Sequence, residues 1–143
     1  MGRYIGFIFA LAVFAFLAIA FWTVNENLPK PKKITFTQDY YKALSESKTD
    51  HKPIILIFTA SWCGPCQYMK KQVYPSAEVS SLADRFHWLM LDVDDSSNQG
   101  LAQRYGVRGI PHIQVIDKFE KRKGLIVGGR SPSDFAAFLQ KQQ

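Results

Sequence analysis

Cysteine is nearly absent from this chain of 143 residues: the only two, Cys63 and Cys66, stand with Gly64 and Pro65 between them. No structural disulfide framework can be built from a single pair. A structural zinc site needs about four ligands, and there is no second Cys or His pair to complete one. The three histidines, His51, His87 and His112, are isolated from one another. Asp92, Asp94 and Asp95 lack both the spacing and the closing Glu of a calcium-binding loop, so they read as a solvated loop. After residue 24 there is no internal repeat and no low-complexity tract. A repeat architecture is therefore set aside.

Charge is missing from Tyr4 to Val24, where Phe, Ile, Leu, Val and Ala dominate. As a helix rising about 1.5 Å per residue, this run covers roughly 30 Å, the thickness of a bilayer core. The competing reading is a cleaved export signal, because Ala18-Ile19-Ala20 has the small-x-small pattern of a processing site. The uncleaved anchor is favoured: the apolar run continues through Phe21 and Trp22, and Trp22 suits an interface. A buried core helix is disfavoured because every face is apolar. Arg3 and the terminal amine flank one end, Lys30, Lys32 and Lys33 the other, so charge leaves the orientation open.

Half of the formal net charge of +6 lies before Ile34, where Arg3, Lys30, Lys32 and Lys33 outnumber Glu26. The remainder is modestly basic, and no nucleic-acid partner is implied. Its densest run, Lys118 to Lys123, reads as a solvated hairpin tip in preference to a phosphate-binding patch. Asn25 to Lys33, with Pro29 and Pro31, reads as an extended linker. The organisation is thus anchor or signal over 1–24, linker over 25–33 and one domain over 34–143.

Within the domain, Thr37 is expected to cap a helix running to about Ser47. Ile54 to Phe58 is an unbroken apolar run of strand length, suited to a sheet covered on both faces. Gln67 to Val73 and Ala77 to Arg85 read as helices, Trp88 to Leu91 as a strand, and Gly100 to Tyr105 as a short helix. Ile113 to Ile116 and Leu125 to Val127 form an antiparallel hairpin. Ser131 followed by Pro132 opens a terminal helix with Phe135, Phe138 and Leu139 on its buried side. This order predicts an α/β fold with helices on both faces of a mixed sheet.

The cysteine pair carries the chemistry. Disulfide exchange needs an attacking thiolate and a second thiol near enough to release the mixed disulfide. Cys63, between a strand and the start of a helix, meets unpaired N–H groups and the positive end of the helix dipole, which lower a thiol's pKa from about 8.5. Cys66 lies one turn on and is the expected resolver. Pro65 loses no helical hydrogen bond in a first turn. Trp62 is expected to shield the thiolate. His112 reads as a solvent-facing strand residue or a satisfied core histidine before it reads as a proton carrier. Two buried cysteines without chemistry are disfavoured by this placement.

Trp62-Cys63-Gly64-Pro65-Cys66 is identical to the active-site motif of thioredoxins. Tyr105 to Pro111 resembles the segment carrying that family's cis-proline, and Val127-Gly128 resembles its later glycine loop. The resemblance spans nearly all of 34–143 and implies a thioredoxin fold. It also implies that Pro111 is cis and packs beside the cysteines, and that the backbone of Ile110 pairs with an extended substrate. Two features depart from the family. Ile57 and Met90 stand where thioredoxins usually bury an Asp and a nearby Lys, and extra residues lie between Asp94 and Gly100.

With the N-terminal segment, these features are similar to exported thioredoxin-like domains such as the C-terminal domain of the bacterial thiol:disulfide interchange protein. The implied activity is reduction of protein disulfides by a domain facing the periplasm from the bacterial inner membrane, with a soluble periplasmic form as the alternative. The implied partners are disulfide-bearing proteins, an upstream thiol reductant that is a membrane protein in one version, and the membrane itself. No metal, flavin or nucleotide is implied. The competing functions are a disulfide oxidase or isomerase and a non-catalytic peptide-binding module.

Overall fold

The computed structural model describes residues 2–26 and 31–142, with side chains over 8–24 and 31–142. The expected linker over 25–33 lies partly outside the described residues. The chain divides into two units, residues 1–30 and 31–143. The first holds helix α1, Gly2–Glu26, whose described large apolar side chains, from Ile8 to Val24, are exposed. Among the described residues no helix is long and apolar enough to cross a membrane.

The second unit is built on five strands: β1 (Phe36–Thr37), β2 (Ile54–Thr59), β3 (His87–Asp92), β4 (His112–Ile116) and β5 (Arg122–Val127). Their spatial order is β1-β3-β2-β4-β5. β2 runs parallel to β3 and antiparallel to β4, making the sheet mixed as expected. All six residues of β2 are buried, the outcome of an apolar run that cannot show a polar face to water.

Alternation along β2 divides the core. Ile55 and Ile57 face Met69, Val73, Val79, Phe135 and Leu139, which belong to the helical segments α3 (Gly64–Tyr68) with its π-turn Met69–Val73, α4 (Ala77–Ser80) and α6 (Pro132–Gln140). Ile54, Leu56 and Phe58 face the other way, toward Tyr40, Ala43 and Leu44 of α2 (Tyr40–Asp50), with Leu101 and Ala102 of α5 (Gln99–Arg104) at the margin. A period of two thus sends one strand into two cores.

Local chemistry moves several expected boundaries. Asp39, not Thr37, caps α2: its Oδ1 accepts the Lys42 N–H at 2.9 Å, whereas Thr37 is paired in β1 and its hydroxyl accepts from the Asp39 N–H. The helix continues past Ser47 to Asp50 and ends at His51, in the left-handed conformation. After Tyr68 the helix widens into the π-turn, an extra residue that lets Met69, Val73 and Tyr74 all reach the core. The stretch 77–85 breaks into α4 and a short 3-10 turn, Ala83–Arg85. β5 begins at Arg122, within the run expected as the turn; pairing with β4 recruits these charged residues into the strand. Ser131 caps α6 through its hydroxyl, as expected, with Pro132 at its start.

Candidate active site

β2 ends at Thr59, and the chain turns through Ala60, Ser61 and Trp62 into α3, for which Cys63 is the N-cap residue. Cys63 and Cys66 are joined in a disulfide with their Cα atoms 5.2 Å apart. The Cys66 N–H points at Cys63 Sγ from 3.2 Å. In the reduced protein this N–H and the helix start favour a thiolate on Cys63. Both cysteines are buried, packed with Ala60 and bordered by Val93 and Ile110. Gly64 and Pro65 between them are exposed.

Two further loops complete the rim. The Ile110–Pro111 peptide is cis. Pro111 O accepts the Gly128 N–H at 2.8 Å, which ties the loop after β5 to the start of β4. Gly128 has φ +88°, a conformation side chains resist, and a Cβ on the adjacent Gly129 would stand 3.6 Å from Pro65 Cβ. Arg130 N–H donates to Met69 Sδ at 3.3 Å, closing the loop on α3's far side. The motif around Cys63, the cis-proline segment and the glycine loop are thus linked at one end of the sheet.

Trp62 stands 69% exposed, and its indole N–H donates to Asp94 Oδ2 at 2.8 Å. Ala60, Val93 and Ile110 pack with the two cysteines. Asp94 is exposed, in the solvated loop expected of it. Its neighbours are also occupied: Asp92 accepts the Asp94 N–H, and Asp95 caps the short 3-10 turn Ser96–Asn98, which holds its carboxyl below the usual range. Nothing in a single sequence signals that Asp94 reaches back to Trp62, 32 residues away.

His112 takes the second of its two expected places, in the core. It is 2% exposed and not solvent-facing, with Nε2 beside Gln114 Oε1 at 3.2 Å and Nδ1 without a partner, so it is satisfied at one nitrogen only. Burial follows from its place in β4, next to β2 and against the Phe58 ring at 5.8 Å. Ile57 and Met90 pair in register across β2 and β3. The described buried polar side chains are Ser47, Thr59, Ser80, His112, Gln114 and Gln142, none of them a carboxylate. Among the described residues no group of His, Cys, Asp or Glu is placed to hold a metal ion.

The Thioredoxin-like family matches residues 35–118. The chain belongs to that family. The Chlamydia pneumoniae protein named disulfide bond reductase DsbH is 35% identical over 133 residues, covering 82% of this chain and 78% of that protein. The chloroplastic thioredoxin-like protein HCF164 of Oryza sativa subsp. japonica is 32% identical over 90 residues, which take in 63% of this chain but 33% of that one. Among solved structures, a DsbH oxidoreductase superposes with a TM-score of 0.67 at 27% identity, over 81% of this chain and 88% of the other. The oxidised DsbD C-terminal domain of Neisseria meningitidis superposes with a TM-score of 0.66 over 76% of this chain and 100% of the other; at 24% identity this is a likeness of fold. With the Cys63–Cys66 pair in a thioredoxin fold, this family member is a thiol–disulfide oxidoreductase.

Proposed function

We propose that the protein reduces disulfides in other proteins outside the cytoplasm, held at the bacterial inner membrane by α1 with its domain in the periplasm. The observation that carries the exchange chemistry is the Cys66 N–H directed at Cys63 Sγ at the start of α3. A Cys63 thiolate attacks one sulfur of the substrate disulfide, forming a mixed disulfide and releasing the other sulfur as a thiolate that takes a proton. Cys66, deprotonated, then attacks Cys63 Sγ and expels the second substrate thiolate. The products are a substrate dithiol and the Cys63–Cys66 disulfide, two electrons having passed to the substrate. A thiol reductant must restore the pair.

Trp62, Gly64 and Pro65 shape the surface around this step. The Ile110 backbone, fixed by cis-Pro111, lines the substrate strand. Reduction rather than oxidation is supported by the Gly-Pro pair between the cysteines and by the name of the 35% identical relative. The membrane tether is supported by the uncharged run Tyr4 to Val24, which extends past the described side chains, and by the exposed apolar surface of α1.

The direction is tested by the reduction potential of the pair: a value near −270 mV fits a reductant, and one near −120 mV an oxidant. A Cys66→Ser variant is expected to accumulate mixed disulfides with exported proteins. Capture of cytoplasmic proteins alone would overturn the assignment of compartment. An N-terminal sequence beginning after Ala20 in the mature protein would replace the tether by a cleaved signal.

A further inference from the structure

The sheet has two chemically different ends. Ile54 pairs with both His87 and Ile116, so the starts of β2 and β3 and the end of β4 lie together, while the disulfide follows the opposite end of β2. Two features meet at the end away from the disulfide. The chain joins the domain there, since β1 is parallel to β3 with Phe36 opposite Trp88, and Lys32 is held by the Ser80 carbonyl and by an ion pair with Asp84. The β4–β5 hairpin also turns there.

That turn is rigid and its acids are spent. Asp117 Oδ1 accepts the N–H groups of Phe119 and Lys121 at 2.8 and 2.9 Å. Glu120, at φ +63°, is gripped by Tyr40 and by Arg104 Nη2. Lys121, Arg122 and Lys123 are exposed and Lys118 is half-buried, leaving cations as the unspent charges of the tip. At the apex Phe119 is 77% exposed, with Lys118 Nζ 5.2 Å from its ring centre. A rigid turn that holds one large aromatic in water among cations is matched to a surface with an apolar layer beneath anionic groups.

We propose that this tip, with Phe119 at its apex, docks on anionic phospholipid headgroups, so that the Cys63–Cys66 end faces away from the bilayer toward soluble substrates. The inference rests on the membrane-tether reading. Charge complementarity selects the lipid surface, since the tip pairs its acids internally and presents cations around one exposed aromatic ring.

The test uses the full chain in nanodiscs of phosphatidylcholine alone or mixed with phosphatidylglycerol, each carrying a headgroup spin label, with amide signals followed by NMR. In the mixed discs the signals of residues 117–123 should broaden at least about threefold more than those of residues 59–66, and the difference should fall in high salt. Phe119→Ser and Lys121→Glu, both at exposed positions, should abolish it while leaving the domain spectrum intact. Equal broadening at the two ends, or no response to phosphatidylglycerol, in a chain that resists alkaline extraction overturns the docking and leaves the tether standing. An acidic protein partner for the tip would then be the better reading. Extraction of the chain by alkali overturns the tether and the docking together.

Discussion

The two ends of the sheet use their polar groups differently. At the disulfide end the sulfurs lie among Ala60, Val93 and Ile110; the unpartnered buried polar atoms fall at both ends, His112 Nδ1 and Thr59 Oγ1 here and Ser80 Oγ at the other. At the far end the acids are committed, Asp117 to backbone N–H groups, Glu120 to Tyr40 and Arg104, and Asp50 to His87 and Lys52. The lesson is one of division of labour. The reactive end is closed by backbone loops around a cis-proline and two glycines, with Trp62 tied to Asp94, whereas the far end fixes its shape through the ion pairs and hydrogen bonds of its acids.

If that division holds, substitutions at the disulfide end should remove activity without unfolding the domain. Cys63→Ser is expected to lower the exchange rate by about a thousandfold or more, because the remaining thiol, Cys66, is 1% exposed and out of reach of a substrate disulfide. Its thermal unfolding should match that of the reduced wild-type protein; a large loss of stability would blur the contrast.

Ile57→Asp sharpens it next. Ile57 is 1% exposed in the core beneath the sheet, and a carboxyl there should cost about 2–7 kcal/mol. Burial raises the carboxyl's folded pKa above its unfolded value of about 3.9, so the penalty should be smallest at low pH and grow as pH rises through the folded pKa. Where the variant stays folded, faster release of the mixed disulfide near neutral pH is expected, since the domain's described residues hold no buried carboxylate to accept the Cys66 proton. Denaturation and reduction rates measured from pH 4 to pH 8 check both statements.

Tyr40→Phe probes the far end. Burial, followed by its hydrogen bonds to Glu120 and Tyr105, pushes the Tyr40 phenol far above its ordinary range. Loss of the hydroxyl is expected to cost about 1–2 kcal/mol in chemical denaturation and to leave the reduction rate unchanged. A slowed reduction instead would show that the two ends are coupled.

Asp50→Asn should have the smallest effect. Burial opposes ionisation of this carboxyl, but bonds from His87 and Lys52 outweigh it and hold its pKa below the usual value. A depressed folded pKa gives stability that is present above the unfolded value, about 3.9, and lost as pH falls through the folded one. The wild type should therefore lose more stability between pH 6 and pH 3 than the variant does, by less than about 1 kcal/mol for such an exposed pair. Identical pH profiles would show that the bonds from His87 and Lys52 to Asp50 add no stability.

Much of this was legible beforehand where the signal was local. The apolar run of β2, the Ser131-Pro132 start of α6 and the cysteine pair opening α3 need only neighbours in sequence to be read. β1 was missed because two residues carry no periodicity; it exists through its pairing with β3. The cap of α2 shifted from Thr37 to Asp39 for the same reason, since pairing of Thr37 in β1 takes it out of contention. For His112 the sequence leaves open a solvent-facing or a core place, because a polar residue in a strand can take either, and only the neighbouring Phe58 and Gln114 show that its side faces the core.

The amino-acid sequence by itself determined the α/β order, the dithiol and its place at a helix start, because these rest on hydrophobic period, capping and the spacing of two side chains a turn apart. The tertiary structure decided what surrounds that dithiol and what lies opposite it: Asp94 on Trp62, Gly128 on Pro111, and Glu120 between Tyr40 and Arg104. These contacts join residues far apart in the chain. Their energy depends on distances that only the closed sheet and its packed helices set, and no local pattern encodes them.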